Sequence, residues 1–153
     1  MKDLSVKDQS APEVLELERV FKAPPERVFD AFASAAALKQ WFGPGYCGVL
    51  KADLDFREGG DYRMRLNTEH SGEVDLVGTY KVIDRPSQIT FTWRWEDNPK
   101  FNPCDSIVEI SLADHPDGTL LKLRQSGIAD EVDRANHGFG WNGSFDKLEK
   151  QFS

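Results

Sequence analysis

Near the end of the chain, Trp141, Phe145, Leu148 and Phe152 recur at i, i+4, i+7 and i+11. That spacing draws one apolar stripe along an α-helix. Extended toward the N-terminus, the same face carries Gly138, His137 and Arg134. One half of the stripe is therefore bulky. The other half offers a missing side chain and two polar ones. A helix anchored at one end and hollow or polar at the other suits the lid of a small-molecule cavity. The pattern points to binding before it points to catalysis.

What such a helix covers can be read from the preceding segments. Val14 to Lys22 alternates and reads as a first strand. Pro24-Pro25 stops it, and the second proline suits the first turn of a helix with Val28, Phe29 and Phe32 on its apolar side. Ser34 is placed to cap a second short helix holding Leu38 and Trp41. Gly43-Pro44-Gly45 breaks it. Period-2 runs follow: Leu50, Ala52, Leu54 and Phe56; Tyr62, Met64 and Leu66; Val74, Leu76, Gly78, Tyr80 and Val82. Ile89, Phe91, Trp93 and Trp95 come next, and a loop with Pro99 and Pro103 follows them. Val108, Ile110 and Leu112 lead into the Asp117-Gly118 turn, and Leu121, Leu123 and Gln125 complete the series. Such alternation buries one face of an antiparallel sheet and wets the other. The reading is α+β: about seven antiparallel strands, two short helices after the first, and a long C-terminal helix starting near Asp130.

The chain has 153 residues, enough for one domain over 13–153, with the polar residues 1–12 expected as a flexible tail without the apolar run of a signal peptide. A net charge of −7 disfavours nucleic acid or an anionic membrane as the main partner. Two cysteines far apart, Cys47 and Cys104, read as free thiols in a reducing, cytoplasmic setting.

Several short motifs resemble a known family. Ala23-Pro24-Pro25-Glu26-Arg27-Val28-Phe29-Asp30-Ala31 is similar to its helix start, and Leu38-Lys39-Gln40-Trp41-Phe42-Gly43-Pro44 to its tryptophan–glycine–proline loop. Asp55-Phe56-Arg57-Glu58-Gly59-Gly60 resembles its hairpin. Phe91-Thr92-Trp93 and Gly118-Thr119-Leu120-Leu121-Lys122-Leu123 resemble its later strands, and His137 with Gly140-Trp141 its last helix. These belong to the START-like (SRPBCC) superfamily, and within it to the domain named after the activator of the heat-shock-protein ATPase. The resemblance implies a helix-grip fold with a pocket between helix and sheet, and no particular reaction. Only about a dozen residues precede the first strand, so a separate N-terminal domain like that of the eukaryotic co-chaperone is not expected.

Candidate chemistry is sparse. Gly138-Phe139-Gly140-Trp141-Asn142-Gly143 spells G-x-G-x-x-G, but too few residues follow for a βαβ unit, so it is not a dinucleotide site. Gly140 and Gly143 lie off the apolar stripe, where a bend or fraying of the helix is expected. His137 is the one weak candidate for acid/base work. Alternatively it is a hydrogen-bonded histidine near the helix start, since no nucleophile or second base accompanies it. Arg134 reads either as a cation at a pocket mouth or as an exposed partner of Asp130. His70 and His115 fall in predicted turns, and no metal-ligand spacing exists. Cys47 follows the Gly-Pro-Gly break and is either reactive or inert.

The expected ligand-binding set is Trp41, Tyr62, Tyr80, Phe91, Trp93, Gln125, Arg134, His137 and Trp141. The expected ligand is a small hydrophobic or aromatic molecule, with any anionic group meeting Arg134. No cofactor is expected. The alternatives are a cyclase- or hydratase-type enzyme using the same pocket, and a chaperone-associated interaction module. The protein is expected as a monomer or homodimer.

Overall fold

The structure, a computed structural model, describes residues 13–45, 47–68, 72–96 and 105–152. The segment read as a tail, His70, Cys104 and the loop with Pro99 and Pro103 lie outside the described residues. Element order is β1 (Val14–Phe21), α1 (Pro25–Asp30), α2 (Ala35–Leu38), β2 (Gly48–Leu54), β3 (Asp61–Thr68), β4 (Gly72–Asp84), β5 (Gln88–Glu96), β6 (Ser106–His115), β7 (Gly118–Ser126) and α3 (Glu131–Gln151). The strands form one antiparallel seven-stranded sheet in the order β1-β7-β6-β5-β4-β3-β2. β2 to β7 are a meander, since each pairs with its neighbour in sequence. β1 instead pairs with the last strand, Val14 opposite Ser126 and Phe21 opposite Thr119.

The strand pattern does what its period requires. Tyr62, Met64 and Leu66 are buried and Arg63, Arg65 and Asn67 exposed, so one face of β3 packs inward. Two positions depart from the simple alternation, and both sit at bulges. In β2 the register shifts between Val49 and Lys51, and Leu50, expected inside, is 49% exposed. In β4 it shifts between Tyr80 and Val82, so Val82 turns outward and Ile83 packs against the core in its place. One inserted residue reverses the phase of everything beyond it.

Local signals set the helix ends. Pro24 caps α1, with Pro25 at its first position. The Ser34 hydroxyl accepts the Ala37 N–H and starts α2, while the Asp130 carboxylate accepts the Asp133 N–H and starts α3. The stripe of α3 then faces the sheet: Trp141, Phe145 and Leu148 are buried, and Phe145 meets Phe21 of β1 edge-on at 5.7 Å. Arg19 of β1 reaches Asp146 at 2.8 Å and Glu149 at 3.3 Å, tying the far end of the helix to the same strand. The helix end therefore rests on the β1 side of the sheet. Its first turns lean over β5 and β3, and the space between them and the sheet is not fully filled.

Candidate functional site

That unfilled space is a cavity of about 170 Å³. Its roof is the segment after α2, with Phe42, Gly43, Pro44 and Cys47. Its floor is Leu66 and Thr68 of β3 with Trp93 and Trp95 of β5, and α3 closes the side with Asn136, His137, Gly140, Trp141 and Ser144. Among the described residues no aspartate, glutamate, lysine or arginine lines it.

The roof is clasped to the helix. Gly43 N–H donates to the Ser144 hydroxyl at 2.9 Å, and that hydroxyl donates to the Gly140 carbonyl at 2.9 Å. Lys147 Nζ donates to the Cys47 carbonyl at 3.1 Å. Gly43 has φ +101°, a conformation open chiefly to glycine, which turns the chain back over the helix. Pro44 then lies directly on Gly143, where a Cβ would come within 2.5 Å of the Pro44 Cβ. Gly143 thus has a packing role that the sequence did not disclose, whereas a Cβ at Gly140 would meet only Pro44 Cγ at 4.0 Å. The helix neither breaks nor frays there; Gly143 lets Pro44 approach closely. The expected hollow at Gly138 is also reassigned, because Leu15 of β1 fills it, with Cδ1 at 3.2 Å from the glycine's Cβ position.

Of the nine expected binding residues, the structure brings Trp93, His137 and Trp141 to the cavity wall. Tyr62, Tyr80 and Phe91 lie deeper, around a separate void of only about 20 Å³, and are packed core. Tyr62 donates to the Thr92 carbonyl at 2.6 Å, and burial pushes the pKa of both tyrosines up. Trp41 is buried behind the roof, with its indole donating to the Ala31 carbonyl at 3.0 Å. Gln125 stands behind Trp141 rather than beside it in the wall. Its amide oxygen accepts the Trp141 indole at 2.9 Å, its amide nitrogen donates to the Ser106 hydroxyl at 2.9 Å, and that hydroxyl contacts the Trp93 carbonyl at 3.4 Å. Arg134 does not face the cavity. Its guanidinium donates to the carbonyls of Ile128 and Ala129 at 2.7 and 2.8 Å, so it neither guards a mouth nor pairs with Asp130. Helical phase gave its direction, but not the two carbonyls of the preceding linker that capture it.

His137, on the α3 side of the cavity, has a shifted pKa. Trp95 Nε1 donates to its Nε2 at 3.0 Å, and its Nδ1 is 2.7 Å from the Asp133 carbonyl. An indole N–H can only donate, so Nε2 must accept and Nδ1 must carry the proton. Burial, opposed by the Asp133 backbone and charge, holds the pKa below the ordinary histidine value. Both ring nitrogens are therefore committed in a neutral imidazole. The partner at Asp133 is its backbone carbonyl, not its carboxylate, so no carboxylate–imidazole dyad forms.

Sequence reasoning missed the roof. Gly43-Pro44-Gly45 read only as a break after the second short helix, with Phe42 before it and Cys47 after it, and with no signal of what lay a hundred positions away. Among the described residues there is no metal-ligating cluster, and no helix is long and apolar enough to cross a membrane.

A family model described as activator of Hsp90 ATPase homolog 1-like protein matches residues 22–153. Protein CV1439 from Chromobacterium violaceum is 32% identical over 92% of this chain and 97% of its own, with a TM-score of 0.81. The AHSA1 protein from Silicibacter pomeroyi is 28% identical over 90% and 96%, with a TM-score of 0.78. Protein Ms6760 from Mycobacterium smegmatis, 18% identical over 95% and 93% with a TM-score of 0.80, shares the fold. No curated protein matches the sequence.

Proposed function

The chain belongs to the activator of Hsp90 ATPase homolog 1-like family, with its helix-grip fold, and within that family we propose that it binds a small apolar molecule beneath the Gly43–Cys47 roof. The observation that carries the reading is the cavity itself, aromatic-walled and without a charged side chain among its described residues. Its size sets the ligand. A dry cavity of about 150 Å³ accepts benzene, whereas pockets for drug-sized ligands begin near 300 Å³. A volume of about 170 Å³ therefore suits one ring with a small substituent. The anionic preference expected from Arg134 loses its basis, since Nη1 is held by the Ile128 and Ala129 carbonyls and the side chain is not among the described residues lining the cavity. Acid/base catalysis has no free imidazole nitrogen to use, which favours binding over a cyclase- or hydratase-type reaction.

The test uses α-methylstyrene, a neutral single-ring hydrocarbon. It should quench tryptophan emission saturably and shift the amide resonances of Gly140 and Trp141. Gly140→Leu, which fills the cavity from the helix side, should abolish both effects. Unsaturable quenching, or equal binding by Gly140→Leu, would refute the reading.

A protein-contact role has one observation of its own. Val132 and Phe139, seven positions apart on α3, are 66% and 77% exposed. Phe139→Ser should then abolish retention on immobilised Hsp90 while sparing α-methylstyrene binding, and unchanged retention would dismiss this second role.

A further inference from the structure

The bond from Trp95 Nε1 to His137 Nε2, 3.0 Å long, ties α3 to the cavity floor, and both residues line the cavity. A proton on Nε2 turns that bond into a conflict. An indole N–H can only donate, and an imidazolium has two donors and no acceptor. His137 is half-buried rather than sealed, so solvent protons reach the ring. Once charged, the ring stays in place through Nδ1, whose 2.7 Å bond to the Asp133 carbonyl the charge strengthens. The indole must therefore turn away, and since Trp95 meets Trp93 edge-on at 5.5 Å, its departure disturbs the floor. We propose that His137 is a proton-operated release for the cavity: protonation of Nε2 breaks the bond to Trp95, so that an apolar ligand and the proton exclude one another. This rests on the reading of the cavity as a ligand site and adds a control to it.

A second effect acts with the same sign. An apolar ligand beside the ring strips its water and returns no hydrogen bond, which costs a charged ring far more than a neutral one. The surrounding charges do not reverse this. Asp133, one turn back on α3, favours the imidazolium, but burial outweighs it and holds the folded pKa below the ordinary histidine value. Arg134 and Lys147 of α3 are held on the carbonyls of Ile128 and Cys47. On β5, Glu96 pairs with Arg63 at 2.7 Å and Arg94 lies 4.0 Å from Asp105. Cys47 lines the roof, and β3 contributes Leu66 and Thr68. Ligand binding should therefore push the His137 pKa lower still, and acid should loosen the ligand.

The experiment titrates α-methylstyrene into the wild type from pH 7.5 down to pH 5.0, over the range where circular dichroism shows the fold intact. The His137 ring resonance, assigned by its loss in His137→Gln, is followed with and without the probe. Kd should be level above about pH 6.5 and rise as pH falls through the folded pKa, by at most about tenfold per pH unit. Because linkage is reciprocal, the ratio of acid to neutral Kd should equal the antilogarithm of the pKa shift that the probe causes. In Trp95→Phe no N–H opposes the second proton, so the proton affinity of His137 in the free protein should rise roughly 2- to 13-fold, the range a neutral hydrogen bond supplies. A Kd constant over the folded range overturns the proposal, as does a pH dependence that persists in His137→Gln or a His137 pKa unmoved by Trp95→Phe. Saturable binding alongside any of these leaves the ligand site standing and removes only the release. A probe that binds at no pH removes the site and the release together.

Discussion

Alanine at two glycines one turn apart on α3 should move stability in opposite directions. In an ordinary helix interior, Gly→Ala contributes about 1 kcal/mol. At Gly140 the nearest atom to a new Cβ is Pro44 Cγ at 4.0 Å, an ordinary contact, so that gain should appear in full. At Gly143 the new Cβ would lie 2.5 Å from Pro44 Cβ and 3.1 Å from Pro44 Cα. Carbon pairs settle at about 3.5–4.0 Å, so the overlap is roughly 1 Å. A proline ring cannot rotate aside, and the roof must lift. Lifting it breaks the bond from Gly43 N–H to Ser144 at 2.9 Å and that from Lys147 to the Cys47 carbonyl at 3.1 Å. Leaving the buried Gly43 N–H unmet costs about 1–3 kcal/mol. After the helix gain of about 1 kcal/mol, Gly143→Ala should lose up to about 2 kcal/mol. The two variants should therefore differ by about 1–3 kcal/mol in urea denaturation, read at unchanged m-value. If Gly143→Ala stabilises as much as Gly140→Ala, Pro44 is not seated on the helix and the cavity has no roof.

Trp141→Phe strands the fully buried Gln125 oxygen and should cost at least about 1 kcal/mol more than Trp93→Phe, which discards an N–H with no partner; equal losses in urea melts would contradict the hydrogen-bond assignment. Burial holds the folded His137 pKa below 6.5, so as pH falls the unfolded chain takes up the proton first. The stability from this residue is complete above about pH 6.5 and falls as pH drops from there toward the folded pKa. His137→Gln should flatten that slope between pH 7.5 and 5.5, and an unaltered slope would place the titration elsewhere. Arg134→Met should cost about 1 kcal/mol through its two lost carbonyl contacts and leave benzoate affinity and its salt dependence as in the wild type; a drop in affinity would return Arg134 to the ligand.

The fold was legible because its cues are local. Alternation marks each strand, Ser34 and Asp130 mark helix starts, and the Trp141–Phe145–Leu148 stripe marks the buried side of α3. Errors arose where phase alone cannot decide. Leu50 and Val82 lie at bulges, and an inserted residue leaves no mark in an alternating run. Gly138 was read as space, but space belongs to the pair of surfaces, and Leu15 occupies it. The site was legible only by half. Trp93, His137 and Trp141 sit on regular elements whose facing side is periodic, whereas the roof is an irregular segment placed by contacts with α3.

The thread from Trp141 through Gln125 to Ser106 divides the cavity into a fixed frame and an exchangeable panel. A helical slip of one residue would swing the Trp141 indole by about 100° and rupture the thread. Trp141 is thus held in place by a β7 side chain that stands outside the wall. Trp95 and His137 fix each other, and Ser144 is pinned by the roof. Leu66, by contrast, fills its part of the floor through shape alone. Variation in ligand shape across proteins of this layout is therefore least disruptive at the β3 floor. Change at Gln125 would alter selectivity and stability at once, from a residue absent from the cavity's lining.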